Sequence, residues 1–255
     1  IGDANGDGLE DLYVCAEAVL PNRLLIRNTD GSLRDASHDS GTDIFDSTSS
    51  ALFVDLDNDR DQDLAIVLAW NVLLLENDGS GRFTPRQSLE SDGQLFSVAA
   101  ADFDEDADLD LYVCAYQLSR TANAMSAMPT PVPFHDANNG ATNLMLRNDG
   151  QWRFTECAKE VGLQENNSRF SYAAAWADFD NDGDVDLYVA NDFGRNNLYQ
   201  NESGRFQDIA AAAGVEDISA GMSASWGDFN RDGRLDLYVA NMFSSAGNRV
   251  AYQRK

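Results

Sequence analysis

One phrase occurs five times along these 255 residues, and it limits the possible folds more than any other feature. Its versions are IGDANGDGLEDLYVC, FVDLDNDRDQDLAIV, AADFDEDADLDLYVC, WADFDNDGDVDLYVA and WGDFNRDGRLDLYVA. The leading aspartates are Asp3, Asp55, Asp102, Asp178 and Asp228, spaced 52, 47, 76 and 50 residues apart. A period of about 40–50 residues is what a four-stranded propeller blade needs.

The rest of each repeat supplies the strands. A run of small residues precedes the acidic stretch, as at Ser97 to Ala101, Ala173 to Ala177 and Ser223 to Gly227. Small side chains suit an innermost strand crowded around an axis, while Trp176 and Trp226 are placed to wedge between blades. A β-rich run follows the acidic stretch, as at Leu111 to Val113 and Leu187 to Val189. A third run, such as Leu24 to Arg27, Leu73 to Glu76 or Leu144 to Arg147, ends in the hairpin signals Asn77-Asp78-Gly79 and Asn148-Asp149-Gly150. Fourth strands start at Arg82-Phe83, Arg153-Phe154 and Arg205-Phe206. TECAKEVGL and QDIAAAAGV are expected to form helical turns between blades. The predicted fold class is all-β: a β-propeller of four-stranded antiparallel blades, read as a single domain over residues 1–255. Repeat one lacks a first strand and repeat five stops at AGNRVAYQRK, so an arc cut mid-blade at both ends is expected. The expected parent has more than five blades, with seven favoured.

Each acidic stretch reads D-x-[DN]-x-D-x-x-x-D. Calcium takes 6–8 oxygen ligands, and alternating acidic residues let a tight loop aim several at one point. The predicted metal residues are Asp3, Asn5, Asp7 and Asp11 with the Leu9 carbonyl, then Asp55, Asp57, Asp59 and Asp63 with Asp61. The third loop uses Asp102, Asp104, Asp106 and Asp110 with Asp108, and the fourth Asp178, Asp180, Asp182 and Asp186 with Asp184. The fifth uses Asp228, Asn230, Asp232 and Asp236 with the Arg234 carbonyl. An EF-hand would need a bidentate Glu at loop position 12. Val14, Ile66, Val113, Val189 and Val239 stand there instead, which excludes it. About five Ca²⁺ ions are expected. The loops at 55–63 and 102–110 are expected to hold them more weakly, because Arg60 and Ala107 replace the Gly8, Gly183 and Gly233 of the others.

Charge agrees with cation binding. The chain has 43 acidic and 18 basic residues, a net charge of -25. Phosphate binding needs Lys and Arg, so nucleic acid is excluded as a partner and anionic membranes are disfavoured. No stretch of 18 apolar residues is present, so direct membrane insertion is not expected. Cys15 and Cys114 occupy the place of Ala190 and Ala240, and read as small core residues rather than as a disulfide or a catalytic thiol.

The phrases DFDNDGDVDLYVAND, NNLYQNESGRFQDIA and SWGDFNRDGRLDLYVANMFSSAGNR resemble the FG-GAP/VCBS repeats of integrin α-like propellers. They are most similar to ASPIC/UnbV-associated and cartilage acidic protein-like propellers. The resemblance implies a calcium-stabilised, usually seven-bladed propeller. It also implies an extracellular, periplasmic or cell-surface location and a role in adhesion or ligand binding.

The calcium loops are expected on one rim, in a structural role. The opposite rim carries an insertion at about 117–141: Asp110 to Leu144 takes 34 residues, where repeats one, two and four take 13, 10 and 12. Long loops on rigid scaffolds often carry function, so Met125, Met128, Phe134, His135 and Asp136 are candidate ligand-binding residues. Catalytic chemistry is poorly supplied, with only His38, His135, Lys159 and Lys255 beside the arginines. The leading expectation is therefore a non-catalytic module for a protein or glycan ligand. The alternatives are a polysaccharide lyase-like propeller and an architectural segment of a larger surface protein. Two N-glycosylation signals start at Asn166 and Asn201 and matter only in a eukaryotic secretory setting.

Overall fold

The computed structural model describes residues 1–17, 19–118, 131–133 and 136–242. Met125, Met128, Phe134 and His135 lie outside the described residues. So does the segment 243–255.

The regular secondary structure of the described residues is nearly all strand. Repeat one gives β1 (Leu12–Val14), β2 (Arg23–Arg27) and β3 (Leu33–Asp35), ordered β1-β2-β3, followed by the single-turn helix α1 (Ser37–Ser40). Repeat two gives β4 (Thr48–Val54), β5 (Asp63–Leu68), β6 (Asn71–Asn77) and β7 (Phe83–Glu90), hydrogen-bonded in chain order. Repeat three gives β8 (Gly93–Ala101), β9 (Asp110–Leu118), β10 (Leu144–Asn148) and β11 (Phe154–Glu156). Repeat four gives β12 (Ser171–Ala177), β13 (Asp186–Asn191), β14 (Asn197–Asn201) and β15 (Phe206–Asp208), then the short helix α2 (Ala210–Ala213). Repeat five gives the pair β16 (Gly221–Gly227) and β17 (Asp236–Asn241). All pairings are antiparallel meanders, so the sheets are β-propeller blades.

The chain forms two compact units: Ile1–Ser91 with Asn148–Phe154, and Asp92–Arg147 with Thr155–Lys255. In the first, the core lies where the first two blades meet. Leu24 and Ile26 from β2 pack with Phe53, Leu64, Ile66 and Leu75 of the second blade. Each such side chain, moved out of water, contributes about 1.5–3 kcal/mol. In the second unit, Tyr112, Cys114 and Met145 of the third blade pack with Leu187, Val189 and Tyr199 of the fourth. Trp176 stands between those blades, its ring 6.3 Å from Tyr112 and 6.0 Å from Phe206. Trp226 reaches back from the fifth blade, its Nε1 donating to the Ala175 carbonyl at 3.3 Å.

The small residues of the inner strands let neighbouring blades approach. Ser97 Oγ in β8 donates to the Tyr172 carbonyl in β12 at 2.9 Å. Every inner strand also shifts register at one equivalent place, between Thr48 and Ser50, Leu95 and Ser97, Ser171 and Ala173, and Gly221 and Ser223. A bulge re-aims the residue it releases. Here the released Phe96 and Tyr172 meet with ring centroids 4.3 Å apart.

The insertion starts later than expected. β8 and β9 pair out to Gly93 and Leu118, so Gln117 belongs to a strand. The first helical turn, α1, was not foreseen, whereas α2 falls in the QDIAAAAGV segment. All three cysteines are free. Burial pushes the Cys114 and Cys157 thiols up to about 12, which leaves them unreactive. Asn201 is fully buried, so its glycosylation signal is sealed inside the fold.

Candidate metal centre

In blades two to five each acidic loop joins the first strand to the second and its last aspartate opens the second strand, while the first loop leads into β1 with Asp11 just ahead of it. Asp11, Asp63, Asp110 and Asp186 are fully buried there. Their oxygens tie the loop to the sheet. Asp63 Oδ2 accepts the Leu56 N–H at 2.8 Å and Oδ1 the Asn77 N–H at 2.9 Å. Asp186 does the same with Phe179 and Asn201 at 3.1 and 2.9 Å. Asp11 does so with Ala4 and Arg27 at 3.0 and 2.7 Å.

The leading aspartate folds the loop over itself. Asp178 Oδ1 accepts the Asp182 N–H and Oδ2 the Gly183 N–H, both at 3.1 Å. Asp3, Asp102 and Asp228 make the equivalent pairs. The fifth-position aspartates, Asp7, Asp59, Asp106, Asp182 and Asp232, each accept the N–H two residues on, at 2.9–3.0 Å.

Three sets of carboxylates converge: Asp55, Asp57 and Asp63; Asp102, Asp104 and Asp110; and Asp178, Asp180 and Asp186. Within each set one oxygen per residue lies within 4.8 Å of the others, so each set could hold a metal ion. These are loop positions 1, 3 and 9. Position 5 stays in its turn, outside the convergent sets. The first and fifth loops carry Asn5 and Asn230 at position 3, whose amides donate to Asp7 and Asp232 at 3.1 and 3.2 Å.

The electrostatics of the loops call for a cation. Asp55 Oδ1, Asp57 Oδ1, Asp61 Oδ1 and Asp104 Oδ1 are buried with no hydrogen-bond partner. A buried carboxylate oxygen without a partner is costly. Burial raises the Asp63 carboxyl to about 7, against its two backbone hydrogen bonds. Burial, then the charges of Asp59 and Asp57, raises Asp61 to about 6. Asp186 rises to about 6 and Asp57, Asp104 and Asp11 also rise, burial leading in each case. A divalent cation supplies the missing opposite charge and the missing partner together, so the residues present fit Ca²⁺.

Several supporting residues were not foreseen. Asn77 Nδ2 donates to the Ala4 carbonyl of the first loop at 2.8 Å and to the Gln62 carbonyl of the second at 2.9 Å. Asn201 does the same for Phe103 and Val185, at 2.8 and 3.1 Å. Asn148 holds the Leu56 carbonyl at 2.8 Å. Trp152 Nε1 donates to Asp57 Oδ2 at 3.1 Å, and Gln200 Nε2 to Asp180 Oδ2 at 2.6 Å. The available signal was the asparagine recurring ahead of each hairpin turn. Asp61, predicted to act through its carbonyl, also buries one side-chain oxygen, Oδ1, in the second loop.

Asp136 is the one candidate of the insertion among the described residues. Its carboxylate accepts from Arg169 Nη1 at 2.6 Å and Arg195 Nε at 3.1 Å, and Arg195 also pairs with Glu216 at 2.6 Å. It is the centre of an ion-pair network that ties the returning insertion to the fourth blade.

A family model described as "FG-GAP-like repeat" matches residues 3–66, 55–113 and 178–239. No curated protein matches the chain. One similar solved structure is described as the basis of specific recognition of non-reducing terminal N-acetylglucosamine by an Agrocybe aegerita lectin. The two share a TM-score of 0.46 and 13% identity over 94% of this chain, which spans 56% of the length of that one.

Proposed function

This chain belongs to the FG-GAP-like repeat family, and from that premise we propose that it is a calcium-loaded propeller module that binds a protein or glycan ligand without catalysing a reaction. The orphaned, buried oxygens of Asp55, Asp57, Asp61 and Asp104 carry the calcium part of this reading. Oxygen-only ligand sets of this kind suit a hard cation. In each loop the ion ties the end of one strand to the start of the next, a structural role, and leaves the rest of the blade surface free for recognition. Calcium sites of roughly 10⁻⁴–10⁻³ M affinity fill outside the cell and not in the cytosol. The proposed location is therefore extracellular, periplasmic or at the cell surface, with adhesion as the broad role. No helix among the described residues is long and apolar enough to cross a membrane.

The test is binding of the calcium-saturated chain to glycan and extracellular-protein arrays, repeated in EDTA, with the bound glycans assayed for cleavage. Calcium-dependent capture without new reducing ends or unsaturated products supports the reading. Product formation would replace it with a lyase-like activity.

A further inference from the structure

A cavity of about 220 Å³ lies where the first two blades meet, bounded by α1, β2, β3 and the β6–β7 hairpin. Two arginines are among its lining residues, Arg34 in β3 and Arg82 just before β7. Both residues are exposed, and among the described residues neither guanidinium lies within 4 Å of a carboxylate, although Arg82 is near enough to Asp78 to add to the Ser80 hydrogen bonds that lower its carboxyl.

The other repeats act as internal controls. Arg82 corresponds to Arg153 and Arg205, each placed ahead of a phenylalanine. Arg153 pairs with Asp149 at 3.6 Å, and Arg205 donates to the Glu160 carbonyl. Arg34 has no arginine counterpart, since Thr84, Thr155 and Gln207 hold that place in the other blades. The pair of guanidiniums is therefore particular to this junction.

The remaining hydrogen-bonding capacity defines the ligand. Ser80 Oγ already donates to Asp78 at 2.6 Å, and Ser40 Oγ to the Ser37 carbonyl at 3.0 Å. The Asn5 amide sends one N–H to Asp7 at 3.1 Å and keeps the other. What the cavity offers is thus donors: two guanidiniums and an amide N–H. Asp39 is the one carboxylate among the lining residues, and Asp78 next to Arg82 offsets part of that arginine's charge, so Arg34 carries most of the cavity's positive character. Ile26 and Ala36 add an apolar wall.

We propose that this cavity is an oxyanion-binding site in which Arg34 and Arg82 grip one sulfate or carboxylate group, such as an acidic sugar bears. Guanidinium forks match both anions geometrically. A chain with net charge -25 repels anions at long range, so only a local pair of cations can retain one. Neither arginine belongs to a metal loop. The proposal rests on the ligand-binding reading and names one ligand chemistry for it; of the donors on the lining, the Asn5 amide alone belongs to a metal loop.

The test is calorimetric titration of the whole chain, in calcium at fixed ionic strength, with sodium sulfate, sodium glucuronate and neutral methyl glucoside. The expected result is binding of at least one anion and none of the glucoside. Arg34→Ala and Arg82→Ala each weaken that binding roughly tenfold, and Arg153→Ala leaves it unchanged. Sulfate alone points to a sulfated sugar, and glucuronate alone to a uronate. No heat from either anion, or equal binding by the Arg34→Ala and Arg82→Ala variants, overturns the proposal. Failure of the ligand-binding reading would show differently, as silent arrays for chains whose anion binding is intact.

Discussion

The sixth residue of every acidic loop is left-handed, with φ of +83° at Gly8, +81° at Arg60, +73° at Ala107, +105° at Gly183 and +84° at Gly233. A Cβ added at any of the three glycines meets nothing within 4 Å, so the demand is on the backbone alone. That explains how Arg60 and Ala107 are tolerated, and it leaves strain in their loops. Ala107→Gly is expected to stabilise the calcium-free chain by about 1 kcal/mol, read as a higher urea midpoint in EDTA. An unchanged midpoint would show no strain there. The buried ninth-position aspartates do more than face a cation, since their oxygens hold backbone N–H groups of the loop and of the third strand. Asp186→Ala should therefore destabilise the chain even in EDTA, by about 2 kcal/mol or more, and Asp182→Ala by clearly less. Equal losses would mean the two positions share one role. Asp136 is a third case. Burial opposes its charge, but Arg169 and Arg195 outweigh that and hold its carboxyl below the usual range. A lowered carboxyl stabilises the fold above its unfolded pKa, near 4, and that contribution is lost as the pH falls through the folded value. Asp136→Asn should cost about 2 kcal/mol at pH 7, with the gap to the parent chain closing below about pH 4. A gap independent of pH would remove the ion pair as the cause.

At the scale of strands and loops, the asparagines at the ends of β6 and β14 couple neighbouring blades. Asn201 sends both amide hydrogens to loop carbonyls, one in each of two adjacent blades. Asn201→Ala strands those buried carbonyls and should cost about 2 kcal/mol. It should also weaken calcium binding at the third and fourth loops together, read by titration against Asp102→Ala and Asp178→Ala controls. An effect on one loop only would show that the amide does not bridge them. Elements were legible in the sequence to within a few residues because hydrophobic runs and turn signals are local. Leu144 to Arg147 was expected as a strand, and β10 is Leu144–Asn148. The position-1 and position-3 aspartates of the second, third and fourth loops were legible for the same reason, as close repeats of one residue type. The clamping role of Asn77 was hidden inside a turn signal, because its partner Ala4 belongs to another blade, 73 residues away. The anchoring of Asp136 was hidden too, since Arg169 and Arg195 reach it only through tertiary packing.

For the whole molecule, like charge is the main opposing force. Five aspartates crowd each of the second, third and fourth loops, and the chain carries a net charge of -25. A bound cation at a hundred times its dissociation constant adds about 2.7 kcal/mol per site. Several filled sites in a chain this long amount to a shift of roughly 20 °C in Tm. The measurement that tests this most directly is thermal unfolding of the chain in calcium and in EDTA, with the bound metal counted per chain. The account predicts three to five calcium ions per chain and a Tm lowered by roughly 20 °C when they are removed. No bound metal and coincident unfolding curves would contradict it, and the acidic loops would then be solvated turns held by their own backbone hydrogen bonds.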